Sequence, residues 1–136
     1  MKLLDLEIIT PAMKVYEGKV HSVTIPGTVG SFQVLYNHAP ILSTFEIGKI
    51  IIEDEKEVKH EYATSGGTVE VLNNKILVLA EAIEAKEEID AERALESLKR
   101  AKERIASEKK EEIDLTRAEG SLQRAINRLK IVGHSN

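Results

Sequence analysis

Along the first part of this 136-residue chain, apolar residues recur at every second position or in short runs; beyond about Glu84 they recur every third or fourth. The first pattern belongs to strands that alternate between core and solvent, the second to helices with one apolar stripe. Leu4, Leu6 and Ile8 alternate with Asp5 and Glu7 before Thr10-Pro11 closes the strand. Further strands are predicted at Val20 to Ile25, Phe32 to Leu35, Ile50 to Glu53, Val58 to Ala63, Thr68 to Leu72 and Lys75 to Ala80. Asp54-Glu55-Lys56 and Asn73-Asn74 read as hairpin turns, because Asn and Asp tolerate left-handed backbone and bond back to nearby amides. Such short connections make antiparallel neighbours, and no helix intervenes to return the chain in parallel. The economical solution is a β sandwich or flattened barrel of antiparallel strands over residues 1–84.

Residues 85–136 form a second domain of two helices. Asp90 is a good N-cap, and Ala94, Leu95, Leu98, Ala101 and Ile105 make one stripe of a helix reaching Ser107. The charged cluster Lys109 to Glu112 is read as the turn. Asp114 then caps a second helix, with Leu115, Ala118, Leu122, Ala125, Ile126 and Leu129 on one face and an end near Val132-Gly133, where glycine can terminate it. Two amphipathic helices with a short connection make an antiparallel hairpin. Alanine at several contact positions buries little area, so this hairpin is expected to be the less stable half.

Both helices open on one phrase. Ile89-Asp90-Ala91-Glu92-Arg93-Ala94 is matched by Ile113-Asp114-Leu115-Thr116-Arg117-Ala118, and Leu98, Arg100 and Ala101 are matched at the same spacing by Leu122, Arg124 and Ala125. Part of the repeat is architecture: Asp caps, Ile before the cap acts as a staple, and Ala and Leu fill the core. Asp114 and Arg117 are assigned to that role. The arginines ask for more, because Arg93, Arg100 and Arg104 share one stripe and Arg117, Arg124 and Arg128 another. A chain reversal near Lys110 sets Arg93 level with Arg128. Facing guanidiniums repel unless carboxylates, such as those of Glu92, Glu96 and Glu103, or a bound anion intervene, and the planar guanidinium fork suits phosphate oxygens.

Composition narrows the function classes. The absence of Cys removes thiolate catalysis, Cys-bound metal and disulfides. Only 4% of residues are aromatic and none is Trp, which suits thin layers better than a deep enclosed cavity. A formal charge of -4 argues against a nucleic-acid binder, which needs excess Lys and Arg to displace counterions. Nothing apolar is long enough to cross a bilayer, so membrane association goes through a partner. His21, His38, His60 and His134 are scattered without metal-ligand spacing, and no Walker-type loop occurs, so neither a metal site nor a hydrolytic nucleotide site is expected. The reading is of a non-catalytic regulatory part of a larger assembly. The alternative is a free-standing β-sandwich binding module with a helical oligomerisation tail.

The hairpin resembles that of the epsilon subunit of bacterial F-type ATP synthases, where an Ile-or-Leu-Asp-x-x-Arg-Ala motif marks ATP binding; Ile89-Asp90-x-x-Arg93-Ala94 fits it. Gly27-Thr28-Val29-Gly30, His38-Ala39-Pro40 and Ser65-Gly66-Gly67 resemble the same family, in the right order along essentially the whole chain. The resemblance implies a sandwich of about ten strands in a central stalk, beside the gamma subunit and against the membrane-embedded c-ring. It implies a hairpin that lies folded or extends into the alpha and beta subunits to inhibit ATP hydrolysis. ATP is then a regulatory ligand of the folded form, with no cofactor required, on the cytoplasmic face of the bacterial membrane. Carried over by motif, the ATP contacts are Glu84, Ile89, Asp90, Arg93, Ala94, Arg100, Arg124 and Arg128. The c-ring contacts are Gly27, Thr28, Val29, Gly30, Ser31, Phe32 and His38. Many relatives carry an acidic residue inside that loop; here Thr28, Val29 and Ser31 are uncharged. His38 reads equally as a turn residue before Ala39-Pro40.

Overall fold

The computed structural model describes residues 2–107 and 112–133 and divides into two compact units, one ending at Ala85 and one beginning at Lys86. In the first unit the described residues form nine strands: β1 (Leu4–Ile9), β2 (Lys14–Gly27), β3 (Gly30–Val34), β4 (Ile41–Phe45), β5 (Gly48–Asp54), β6 (Lys59–Thr64), β7 (Gly67–Leu72), β8 (Lys75–Ala80) and β9 (Ile83–Ala85). The β1, β8, β7 and β4 strands lie side by side as one layer, and β3, β2, β5, β6 and β9 form the other. The sandwich expected from alternation is therefore present, with nine strands where about ten were implied.

The long β2 strand joins the layers. Its first half pairs with β1, from Leu4↔Val20 to Ile9↔Lys14, and its second half pairs with β3 on one side and β5 on the other. Between Val20 and Ser22 the ladder to β5 shifts register, so His21 is the extra residue of a bulge. Val20 and Val23 consequently both face the core although they are three apart. One pair departs from the antiparallel expectation: β1 runs parallel to β8, from Asp5↔Lys75 to Ile9↔Leu79. Because β1 and β8 are far apart in sequence, the intervening strands themselves return the chain, and no crossover helix is needed.

Leu4, Leu6 and Ile8 of β1, Val23 and Ile25 of β2, Ile50 and Ile52 of β5, Val69 and Val71 of β7, and Ile76 and Val78 of β8 meet in one buried core, closed by Val34 and Phe45. The polar partners of the alternation stay outside, where Lys19 pairs with Asp5 at 2.8 Å and Lys14 with Glu7 at 3.1 Å. The β7–β8 turn carries Asn73 and Asn74 at positive φ, 49° and 62°, the left-handed conformation that a two-residue hairpin requires. The β5–β6 turn is built on Asp54, whose Oδ1 accepts from the amides of Lys56 and Val58.

In the second unit a 3-10 turn (Lys86–Glu88) precedes α1 (Ala91–Ala106) and α2 (Glu112–Ile131). Asp90 caps α1 as its sequence position implies, with Oδ1 accepting from the Arg93 amide at 3.1 Å. The helix closes at Ser107. Ala94 and Leu98 pack with Ala125 and Leu129, flanked by Leu95, Leu122 and Ile126. The start of α1 thus meets the end of α2, which is the antiparallel hairpin. One expectation is corrected: α2 begins at Glu112, so Asp114 lies in its first turn and is not its cap. The expected turn at Lys109 to Glu112 lies largely outside the described residues, with Glu112 already helical. At the far end Gly133, at φ 75°, donates its amide to the Lys130 carbonyl and ends α2.

Candidate functional site

The hairpin brings one group of candidate residues to its open end. Arg93 precedes Ala94 on α1 and Arg128 precedes Leu129 on α2, and Ala94 and Leu129 share the interhelical core. Both guanidinium-bearing residues therefore flank the same packed layer. Arg93 and Arg100 are exposed, and among the described residues neither has a carboxylate partner. Arg128 is partly buried. Arg124 is exposed and folded back along its own helix, with Nη2 donating to Ser121 Oγ at 3.2 Å. Its guanidinium lies over Gly120, close enough that a Cβ there would stand 3.2 Å from Nη1.

The remaining candidates differ in kind. Ala94 is buried in the helix interface, so what it offers is close packing. Asp90 uses one carboxylate oxygen as the helix cap, and Ile89 sits just before it, partly buried, with its amide bonded to Lys86 O at 3.2 Å. Glu84 belongs to the other unit, on β9, where Ala63↔Glu84 pairs that strand with β6. The exposed guanidiniums of Arg93 and Arg100 can pair with an anion such as a polyphosphate.

The second group lies on the sandwich. Gly27 and Gly30 pair across the end of the β2–β3 hairpin, with Thr28 and Val29 as its tip. Gly27 is required by close approach, since a Cβ there would come within 2.6 Å of the Gly30 carbonyl and 2.8 Å of the Phe32 ring. Thr28 ties the tip to β4, its amide donating to Thr44 O at 3.3 Å and the two hydroxyls bonding at 2.8 Å. His38 is partly buried; its amide donates to Leu35 O at 3.0 Å and its Nδ1 to Ala39 O at 2.7 Å.

These pieces are not adjacent. The hairpin tip precedes β3 and His38 follows it, so they stand at opposite ends of a five-residue strand, roughly 15 Å apart at about 3.3 Å per residue. What joins them is β3 itself, where Ser31 and Gln33 are exposed, followed by exposed Leu35 and Tyr36. No Asp, Glu, Lys or Arg occurs from Ser22 to Phe45, in a chain where 31% of residues are charged.

An open groove of about 730 Å³ lies elsewhere on the sandwich, lined by Asp5, Glu7, Glu17, Lys19, Glu70 and Lys75 among others. Its Glu7 and Glu17 pair with Lys14 and its Asp5 with Lys19, so these carboxylates are neutralised in place.

Residues 3–86 match the family model of the ATP synthase delta/epsilon chain β-sandwich domain, and residues 87–133 match that of its long α-helix domain. The chain belongs to the ATP synthase delta/epsilon family. The epsilon chain of Salinibacter ruber is 41% identical over 112 residues, covering 75% of this chain and 74% of its own length. That of Pelotomaculum thermopropionicum is 44% identical over 105 residues, covering 77% and 78%. Among solved structures, a chain of the Euglena gracilis mitochondrial ATP synthase, determined as OSCP/F1/c-ring, superposes with a TM-score of 0.86 at 22% identity, over 98% of this chain and 83% of that one. A chain of the Tetrahymena thermophila mitochondrial enzyme, from its central stalk and c-ring, gives 0.70 at 14%, covering 97% of both. At those identities the structural likeness speaks for the delta/epsilon fold. No helix among the described residues is long and apolar enough to cross a membrane.

Proposed function

We propose that this chain is the epsilon subunit of a bacterial F-type ATP synthase, a non-catalytic component of the central stalk. It stands beside the gamma subunit and touches the c-ring on the cytoplasmic face of the membrane, which it reaches only through the complex. The observation that carries this is the match of both family domains, in order, over nearly the whole chain.

The hairpin is the regulatory element. Extended, it lies along gamma against the alpha and beta subunits and inhibits ATP hydrolysis; folded, it is held by ATP as a signal. The arginines Arg93, Arg100, Arg124 and Arg128 pair with phosphate oxygens, while Ile89, Asp90 and Ala94 shape the rest of the site. ATP biases the hairpin only by the difference in its affinity for the two states. The support is the exposed guanidiniums of Arg93 and Arg100 beside a helix pair held by a small alanine-rich core.

Two measurements test the reading. Co-expression with gamma is expected to give a stoichiometric complex; a chain that self-associates and leaves gamma unbound is instead a free-standing module. Titration of the chain with ATP is expected to give saturable binding that Arg93→Ala abolishes. No saturation at millimolar ATP removes the nucleotide arm while leaving the stalk assignment intact.

A further inference from the structure

The repeat that opens both helices runs beyond its first phrase, and its two copies differ in charge. At one constant offset Arg93, Ser97, Arg100 and Arg104 of α1 become Arg117, Ser121, Arg124 and Arg128 of α2. Glu92, Glu96 and Glu103, the carboxylates that could neutralise the first stripe, become Thr116, Gly120 and Asn127. The second copy keeps every arginine and drops each of those counter-ions. From Leu115 to Gly133 the acidic side chain that remains is Glu119, in the place of Leu95. It follows buried Ala118, which turns it to the opposite side from the arginines.

Arg100, Arg117 and Arg124 each precede a buried alanine, Ala101, Ala118 and Ala125, and Arg104 precedes partly buried Ile105. At about 100° per residue every one of them is therefore rotated the same way from its core neighbour. An antiparallel pair is related by a twofold axis between the helices, which sets both stripes on one broad face. Carrying the register of the Ala94 and Leu129 core toward the connection brings Arg104 and Arg117 to within roughly 3 Å of the same level, at about 1.5 Å per residue. Arg124 reaches toward that end too. Its bond to Ser121 and its place over Gly120 carry the guanidinium back along α2, to about one further turn, ~5 Å of rise, from Arg117. Arg100, Arg104 and Arg117 are exposed, and among the described residues none has a carboxylate partner. Guanidiniums gathered on one face repel until an anion draws them together.

We infer that the connection end of the hairpin carries a second anion site, in which Arg104, Arg117 and Arg124 hold a short inorganic polyphosphate. This site goes beyond the ATP reading and does not depend on it, because Arg104 and Arg117 take no part in the ATP contacts. What the second copy fails to repeat selects the ligand. Asp90 caps α1, whereas Asp114 lies inside α2, so the turn that shapes the nucleoside side of the first site has no counterpart. The forks that pair with phosphate oxygens do recur. A chain of phosphates, unlike a single one, reaches forks set a turn apart.

The test is calorimetric titration of the full chain with sodium tripolyphosphate, in an Arg93→Ala background that removes the ATP contact at the open end. Saturable binding is expected, with the Nε–Hε signals of Arg117 and Arg124 shifting in NMR spectra of the same sample. Adding Arg104→Gln and Arg117→Gln is expected to weaken binding roughly tenfold or more. Lys99→Gln with Lys102→Gln removes the same charge from exposed positions that follow core residues, away from the arginine face, and is expected to leave binding unchanged. All four side chains are exposed, so both variants keep the parent's helical ellipticity. No saturation in the Arg93→Ala chain, or an equal loss in the lysine variant, overturns the site. A fall in ATP affinity when Arg104→Gln and Arg117→Gln are placed in the wild-type chain also overturns it, since ATP then occupies both ends as one site. A wild-type chain that binds tripolyphosphate through Arg104 and Arg117 but no ATP removes the nucleotide reading and leaves this site standing.

Discussion

The backbone amide of Asn37 donates to Oδ1 of Asn74 at 2.6 Å, and Nδ2 of Asn74 donates back to Oδ1 of Asn37 at 3.2 Å. Both residues sit in the left-handed region, at φ 65° and 62°, which Asn tolerates better than other side chains with a Cβ. The pair fastens the loop that holds His38 to the β7–β8 turn, and that turn is itself bonded to β1 through Asp5 N and Asn74 O at 2.9 Å. Replacing Asn74 with Gly keeps the turn conformation and removes both side-chain bonds. The expected cost is about 1 kcal/mol of stability, read from the denaturant midpoint, together with faster exchange of the Asn37 amide. Unchanged exchange at Asn37 would mean that the loop holds His38 without this pair.

The β5–β6 turn has a pH signature. Asp54 is held below the ordinary aspartate range, first by the His60 ring, whose Nε2 donates to Oδ2 at 2.8 Å, and then by the amides of Val58 and Lys56. A carboxyl whose folded pKa is depressed contributes stability that is fully present above its unfolded value, about 3.9, and is lost as pH falls through the lower folded value. Wild type is therefore expected to lose stability relative to Asp54→Asn as pH falls below about 4, and to hold a constant advantage at neutral pH. Denaturation midpoints of both proteins across the acid range check this; a gap that does not narrow on acidification refutes it.

The hairpin depends on few large side chains. Leu129 is almost fully buried in a core otherwise made of Ala94, Leu98 and Ala125. Truncating Leu129→Ala is expected to cost about 3 kcal/mol through lost burial and a residual cavity. The loss should appear in the helical ellipticity at lower temperature or denaturant. Retention of the full helical signal under wild-type conditions of unfolding would show that this core is not what holds the helices.

Gly120 offers the opposite sign. It lies inside α2, where glycine is unfavourable relative to alanine. The nearest atom to an added Cβ is the end of the Arg124 side chain, which is exposed and flexible. Gly120→Ala is expected to stabilise the helix by about 0.5–1 kcal/mol and to displace Arg124 from Ser121. A thermal midpoint that falls would mean the arginine cannot yield.

Much of this was legible in the sequence, for identifiable reasons. The Leu4-Leu6-Ile8 alternation and the Asp90 cap are local signals, and both elements stand where those residues put them. The β4 strand was missed because its alternation is disguised: Leu42 points outward, 75% exposed, and Pro40 precedes it. The β9 strand is too short for any period to show. The β1–β8 parallel pairing is set by the core, where Leu6 and Ile8 meet Ile76 and Val78, and no local pattern encodes it. Val20 and Val23, three apart, did carry the bulge at His21 in their spacing. At the candidate sites the arginine stripes were legible from periodicity, but the retreat of Arg124 onto Ser121 depends on rotamers. The separation of His38 from the glycine tip depends on β3 lying between them.

The tip of the β2–β3 hairpin gives the sharpest steric test. Gly27 is buried, with the Gly30 carbonyl on one side of its missing Cβ and the Phe32 ring on the other. The carbonyl is fixed by the β2–β3 ladder, and Phe32 packs against the main core, so neither moves without loss elsewhere. Gly27→Ala is expected to cost about 2 kcal/mol or more, because the pair Gly27↔Gly30 must open. Opening it also strains the Thr28 bonds to Thr44 and the Glu46 amide's bond to Pro26 O at 3.0 Å. Val29→Ala at the exposed tip removes no buried contact and is expected to leave stability unchanged. Equal denaturation midpoints for the two variants would show that the hairpin end accommodates a Cβ.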